Sequence, residues 1–109
     1  MFKKKYKVKG VDVNDYMVMQ EFAYHLYTVS HITSYLRKSG YPKRLLESLK
    51  LKIENSNKQL DCIKNLMFTQ DFSMYLDSFN ILEINNDVEV KTRFFNANNE
   101  LCAILVLKS

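Results

Sequence analysis

The stretch VDVNDYMVMQEFAY, Val11 to Tyr24, decides how the chain is read. Before it, Lys5 to Val13 alternates apolar and lysine positions, the period of two of a half-buried strand. After it, from about Met19 to Arg37, the period is helical. Phe22, Leu26, Val29, Thr33 and Leu36 form one stripe, and Tyr24, Tyr27, His31 and Tyr35 form a second beside it. A helix apolar around more than half its circumference is buried on more than one side. The junction carries Asp12, Asn14 and Asp15, with Gln20 and Glu21 at the start of the helical pattern. Two readings are open: a site loop feeding a helix N-terminus, or a polar turn between core elements.

Outward from this junction the pattern is α+β. Gly10 is expected to bend the first strand so that Val11 and Val13 change face. Lys38 and Gly40 end the long helix, a cation followed by a C-terminal glycine. Pro42 opens a short second helix, expected to reach about Ser48. Leu49, Leu51 and Ile53 alternate with lysines and read as a strand. ENSNKQ is a turn, and Leu60 and Cys62 begin an extended run reaching Leu66. Phe72, Met74 and Leu76 alternate, with a switch of face near Ser78. Asn85 to Asp87 is a turn. Val88, Val90, Thr92 and Phe94 share one strand face, and Glu89, Lys91 and Arg93 the other. LCAILVL closes the chain as an apolar strand, expected to be central and covered on both faces. One strongly apolar helix against an antiparallel sheet is an α+β layer arrangement.

Composition bounds the rest. At 109 residues, with 47% hydrophobic residues, a single domain over 1–109 with a real core is expected. Only 2 Gly and 1 Pro imply short connections and no linker. The net charge is +4 and the pI about 9.0, which permits an anionic partner. Lys3, Lys4, Lys5 and Lys7 supply much of that excess and read as a solvated strand edge, so neither nucleic acid nor membrane is expected as a partner. Cys62 and Cys102 lack metal spacing, as do His25 and His31, so no metal is expected. Two buried free thiols, and no apolar run of leader or membrane-spanning length, point to the cytoplasm. No phosphate-cradling glycine loop exists.

The order and lengths of these elements resemble the hotdog fold, a curved antiparallel sheet wrapped around a long central helix. Within it the chain is similar to the 4-hydroxybenzoyl-CoA type of acyl-CoA and acyl-carrier-protein thioesterases. Their signature D-x-D-x-x-G-x-V-x-x-x-x-Y falls on Asp12, Asn14, Met17, Met19 and Tyr24. FTQDFSM, Phe68 to Met74, keeps the aromatic residue and Asp71 of a second family stretch but has Gln70 for its glycine. NELCAILVL has Leu101 and Ala103 where the family's closing strand has L-x-A. The likeness spans the whole chain, with further departures. Asn14 replaces the second acid, which resembles a subgroup acting on polyketide chains held by a carrier protein, and Met17 replaces the glycine. That subgroup's arginine further along the helix also has no counterpart before Arg37.

The resemblance implies hydrolysis of an acyl thioester, with the central-helix N-terminus as oxyanion hole and backbone N–H groups near Gln20–Phe22 as donors. Candidate catalytic residues are Asn14, Asp15, Glu21 and Tyr24, and candidate substrate-binding residues are Asp12, Gln20, His31, Lys91 and Arg93. No cofactor is implied; CoA or phosphopantetheine enters as part of the substrate, from acyl-CoA or an acyl carrier protein. Hotdog sites form between subunits, so a homodimer or homotetramer is expected. The other open reading is a non-catalytic module that holds an acyl chain or serves in assembly. A dehydratase, which would pair a histidine with an acid, and nucleic-acid binding by the lysine-rich strand are weaker alternatives.

Overall fold

The computed structural model describes residues 2–82 and 87–109. The chain forms β1 (Phe2–Lys7), a 3-10 turn (Gly10–Asp12), α1 (Glu21–Lys38), α2 (Lys43–Glu54), β2 (Asn57–Cys62), β3 (Asp71–Leu82), β4 (Asp87–Asn96) and β5 (Leu101–Lys108). The strands make one antiparallel sheet in the order β1-β3-β4-β5-β2, and α1 lies against one of its faces. The α+β architecture expected from the sequence is therefore the one observed.

Helix α1 starts where Gln20 leaves extended backbone (φ −89°, ψ 158°) and stops through glycine chemistry. Gly40 takes φ +77°, its N–H donates to the Arg37 carbonyl at 3.2 Å, and the Tyr41 N–H donates to the Leu36 carbonyl at 3.3 Å. These two bonds are the Schellman pattern, which needs a residue without Cβ strain at that position.

The inner face of α1 draws on both stripes, with Tyr24, Tyr27 and His31 of the aromatic one and Val29 and Leu36 of the aliphatic one buried together. Ala23, Tyr24, Tyr27, Thr28, His31 and Ile32 are buried, whereas Phe22 and Leu26 are 49% and 59% exposed. The buried rings interlock with the sheet. Tyr27 meets Phe72 edge-on at 5.0 Å, Tyr24 meets Phe94 at 5.0 Å, and Tyr6 stacks on Phe72 at 5.5 Å. Such edge-to-face pairs add about 0.5–1.5 kcal/mol each beyond their buried area. The expectation that Phe22 and Leu26 face the core is thus corrected: the wide rings need the sheet's aromatic layer, and they set the rotation of the helix.

Element placements also differ, among them β2, which runs Asn57–Cys62 instead of from Leu60 to Leu66 and takes in part of the expected ENSNKQ turn. β1 ends at Lys7, and Gly10–Asp12 turns as a 3-10 segment instead of continuing the strand to Val13. Helix α2 runs through Glu54, taking in the segment read as a strand at Leu49–Ile53. Leu49 and Ile53 are spaced i, i+4, a separation that lies on one face of a strand and one face of a helix alike. Leu51 distinguishes them: it is 62% exposed while Leu49 and Ile53 are buried, as only the helical period allows. β5 lies between β4 and β2 with Ala103, Leu105 and Leu107 buried and Ile104 and Val106 half-buried, so it is fourth in the sheet rather than central.

The expected change of face in β3 is present as a register shift between Leu76 and Ser78, and a second shift between Phe94 and Phe95 bends β4 against β5. In β4, Val88, Val90, Thr92 and Phe94 face inward as read from the alternation. Asn85 and Asn86 of the expected turn lie outside the described residues.

The α2 assignment makes a prediction that a strand would not. Leu49→Ala should cost roughly 2–5 kcal/mol by urea denaturation, whereas Leu51→Lys should stay within about 0.5 kcal/mol. Equal losses at both positions would contradict the helical register.

Candidate functional site

The junction between β1 and α1 is built by one buried carboxylate. Asp12 is 6% exposed, and its Oδ2 accepts from the Lys9 N–H at 2.9 Å and from the Tyr27 hydroxyl at 2.6 Å. The Tyr27 hydroxyl also lies 3.0 Å from the Lys7 carbonyl. Burial, reinforced by the Asp12 charge, pushes the Tyr27 phenol up, so it stays a donor at any ordinary pH. The Asp12 carbonyl in turn accepts the Gln20 N–H at 2.8 Å. Asp12 therefore joins the turn, the helix side and the helix start. These contacts commit Oδ2 of Asp12 to protein groups and give the residue a positioning role, while the residue also lines a cavity with Tyr6, Lys9, Leu26, Tyr27 and Ser30.

Beyond Asp12 the chain makes a tight excursion and returns. Val13 and Met19 form an isolated bridge, and Asn14 N–H donates to the Val18 carbonyl at 3.1 Å. The Asn14 side-chain oxygen accepts from the N–H groups of Tyr16 (2.9 Å) and Val18 (3.2 Å). With both lone pairs directed to the turn, Asn14 has only its NH₂ group left to offer a ligand. The expectation that Asn14 both accepts from and donates to a water is corrected to donation alone.

Met17 closes this turn at φ +63°. That left-handed conformation costs a side-chain-bearing residue about 1–2 kcal/mol and is free to glycine. Met17, which stands where the resemblance places a glycine, holds this conformation at that cost. Nothing in the sequence except that missing glycine marked the position. In the second stretch the left-handed residue is Thr69 (φ +72°), one place before Gln70, whose side-chain oxygen accepts the Met67 N–H at 2.8 Å. The two loops are tied together: Phe68 N–H donates to the Met17 carbonyl, and Met19 N–H to the Leu66 carbonyl, both at 2.8 Å.

The helix start leaves donors free. Gln20 N–H is taken by Asp12, while the Gln20 carbonyl accepts from Ala23 (3.0 Å) and Tyr24 (3.4 Å). The N–H groups of Glu21 and Phe22 have no backbone or side-chain acceptor among the described residues. They sit at the positive end of α1, where negative charge is favoured. The Glu21 carboxylate is exposed beside them and has no ion pair among the described residues, and Asp15 is exposed in the turn.

Other candidates lie elsewhere. Tyr24 is fully buried, with its hydroxyl 3.9 Å from the Cys62 sulfur, and burial pushes its phenol up. It is a core residue in this geometry, with no exposed face toward the helix start. Cys62 is exposed and Cys102 buried, so one of the two thiols departs from the expected burial. His31 is also fully buried: Tyr6 OH donates to its Nδ1 at 2.8 Å, and its Nε2–H lies 3.3 Å from the Phe2 carbonyl. Burial lowers its pKa to about 4, so the ring is neutral near pH 7. Placement of His31 in a substrate pocket is corrected to a latch between α1 and β1. Lys91 and Arg93 occupy the sheet face opposite α1 because they alternate with inward-facing Val90, Thr92 and Phe94. Arg93 pairs with Asp77 at 2.5 Å and lies over the rings of Tyr75 (5.7 Å) and Phe95 (5.2 Å). The sheet separates both residues from the helix start.

Among the described residues no cluster of ligand side chains suits a metal, and no helix is long and apolar enough to cross a membrane. No family model and no curated protein matches the chain. Solved structures do. A 1,4-dihydroxy-2-naphthoyl-CoA thioesterase from Synechocystis superposes with TM-score 0.78 at 10% identity, over 98% of this chain and 78% of that one. A gentisyl-coenzyme A thioesterase gives TM-score 0.75 at 14% identity, over 97% and 84%. A Staphylococcus aureus protein solved in complex with CoA gives 0.72 at 10%, over 98% of this chain, which spans only 66% of that protein. These likenesses establish the fold: the chain has the α+β hotdog architecture.

Two predictions follow the geometry of the junction. Met17→Gly should raise stability by up to about 1 kcal/mol in denaturant titrations, since relief of the left-handed strain exceeds the entropy glycine adds to the unfolded chain. A loss of stability would mean that Met17 packing matters more than its backbone. For His31, the unfolded ring binds a proton near 6.5 and the folded ring only near 4. Stability is therefore complete above about pH 6.5 and falls as pH drops from 6.5 toward 4. Urea midpoints at pH 7 and pH 5 should separate more in the wild type than in His31→Gln; an equal separation would remove His31 as the cause.

Proposed function

We propose that the protein hydrolyses an acyl thioester, with the free N–H groups of Glu21 and Phe22 receiving the charge that develops on the thioester oxygen. The observation that carries this reading is the pair of unpartnered amides at the head of a helix whose entry is fixed by Asp12. Preorganised donors of this kind are worth roughly 3 kcal/mol of transition-state stabilisation each. The neighbouring Glu21 carboxylate takes a proton from the attacking water, a contribution of about 10²–10⁴-fold for a well-placed base. Attack forms a tetrahedral intermediate; its collapse breaks the carbon–sulfur bond and releases the acid and the thiol. Solved structures of the same fold that bear the names of CoA thioesterases support the reaction class.

The thioester is carried by CoA or by an acyl carrier protein. Asn14 at the second acid position favours the polyketide-type subgroup, with its NH₂ group and Asp15 shaping the mouth of the site. We take the working unit to be a cytoplasmic homodimer or homotetramer; the exposed edge strand β2 leaves a backbone edge open for pairing.

The test is a panel of acyl-CoA and acyl-carrier-protein thioesters of graded chain length, read by release of free thiol. Glu21→Gln should lower kcat by roughly 10²-fold or more. Glu21→Pro should lower it by about a further 10²-fold, because it also removes the N–H. Proline is tolerated at the first helical position, and Gln20 already has the extended backbone that precedes proline well. Turnover unaffected by either change would overturn the assignment. A second reading, a non-catalytic acyl-binding module, is favoured by the Asn14 oxygen being committed to the turn. Acyl ligand co-purifying with folded protein, without turnover on any thioester, would select it.

A further inference from the structure

A cavity of about 300 Å³ opens between β1, the 3-10 turn and α1, lined by Tyr6, Lys9, Asp12, Leu26, Tyr27 and Ser30. Asp12 and Tyr27 are buried and Tyr6 is half-buried, so these three make its floor; Lys9, Leu26 and Ser30 are exposed and make its rim. Two of its polar groups are already spent. The Tyr6 hydroxyl donates to Nδ1 of His31 at 2.8 Å, and the Tyr27 hydroxyl is held between Asp12 and the Lys7 carbonyl. Burial pushes both phenols up, so neither becomes an anion near pH 7. Three polar groups remain uncommitted. Oδ2 of Asp12 takes both donors of that carboxylate; Oδ1 has no partner among the described residues and is not sealed in the core. The Lys9 side chain forms no ion pair among the described residues, because the bond from Lys9 to the Asp12 carboxylate comes from its backbone N–H. The Ser30 hydroxyl also has no partner among them. The cavity thus holds an acid oxygen at its floor, and an ammonium and a hydroxyl at its rim.

We propose that this cavity binds a small zwitterion, a free amino acid with an apolar side chain. Its ammonium sits on Oδ1 of Asp12 beside the Tyr6 and Tyr27 rings, and its carboxylate meets Lys9 and the Ser30 hydroxyl at the rim. A carboxylate oxygen below the surface is costly to leave without a donor, and an ammonium supplies the strongest one. The two rings, 5.3 Å apart at 68°, add walls that attract a cation. A ligand carrying positive charge alone would meet the Lys9 ammonium in the same small volume, and one carrying negative charge alone would meet Asp12. A molecule with both charges pairs with each. Leu26, 59% exposed at the rim, gives an apolar side chain a neighbour to cover. The volume suits a compact molecule, at the low end of small-ligand sites. Neither Glu21 nor Phe22 lines the cavity, so binding here is independent of thioester hydrolysis at the helix head.

The experiment titrates L-leucine, 3-methylbutylamine and 4-methylpentanoate into the full chain and follows backbone amide shifts by NMR. The second compound lacks only the carboxylate of leucine, and the third only its ammonium. Leucine should shift the amides of Lys9, Asp12 and Ser30 and bind roughly tenfold more tightly than either analogue, the difference expected for one charge-assisted contact. Equal affinities for all three mean apolar contact alone and overturn the proposal. Shifts confined to other residues, or none with leucine at millimolar concentrations, overturn it as well. Lys9→Gln keeps the backbone N–H that Asp12 needs; it should weaken leucine about tenfold, to the level of 3-methylbutylamine. Lys9→Glu should reverse the preference, with the amine bound more tightly than leucine. Stronger leucine binding in Lys9→Gln would mean that the Lys9 ammonium itself fills the site, and overturns the proposal. Asp12→Asn should lower leucine to the level of 4-methylpentanoate; leucine binding unchanged in a folded Asp12→Asn protein overturns the assignment of Oδ1. The two Lys9 variants decide the matter where Asp12→Asn fails to fold.

Discussion

The Asp12 carboxylate, buried against the Tyr27 hydroxyl and the Lys9 N–H, is the contact on which the rest of the molecule turns. A carboxylate removed from water is costly unless donors replace the lost hydration. Here the donors come from the turn and from the middle of α1, so the charge is satisfied only when helix and turn are docked together. The Asp12 backbone carbonyl then fixes Gln20, and through it the direction in which α1 begins. The local cost of burial becomes geometric definition at the helix start.

The same helix serves two solvents. Its inner face places Tyr24, Tyr27 and His31 among Tyr6, Phe72 and Phe94. Each polar atom on that face is matched to a neighbour: His31 to Tyr6 and the Phe2 carbonyl, Thr28 to Thr92 at 3.3 Å. Buried polar groups satisfied in this way hold one rotation of the helix against the sheet, because another rotation would leave them unpaired. The outer face is released from packing, and its first turn keeps two amides unspent. The inner face thus decides which backbone donors and side chains solvent can reach.

Much of this was legible from residue order. Strand β4 shows clean alternation, and the structure follows it because a period of two has one meaning when the run is long. The glycine at position 40 and the face switch near Ser78 were also readable, since each is a local backbone requirement. The Leu49–Ile53 segment was not: leucines and isoleucine four apart fit both periods, and only packing of Leu49 and Ile53 against the core chose the helix. Around the candidate site, the place of Asp12 before the helix entry and of Gln20 and Glu21 at it could be read from the change of period. The commitment of Asn14 to its own turn, the burial of Tyr24 and His31, and the removal of Lys91 and Arg93 to the far sheet face could not.

By itself the sequence determined the element types over its strongly periodic stretches, the α+β class, and the position of the helix entry, because these depend on near neighbours along the chain. Tertiary structure alone decided how α1 is turned, so that Phe22 and Leu26 stay outside the core that Val29 and Leu36 enter, which polar groups are consumed in holding it there, and which amides remain free at its head among the described residues. Those choices depend on contacts between residues far apart in sequence, such as Asp12 with Tyr27 and His31 with Tyr6. Their free energy exists only once the sheet is assembled, so no pattern within VDVNDYMVMQEFAY could contain it.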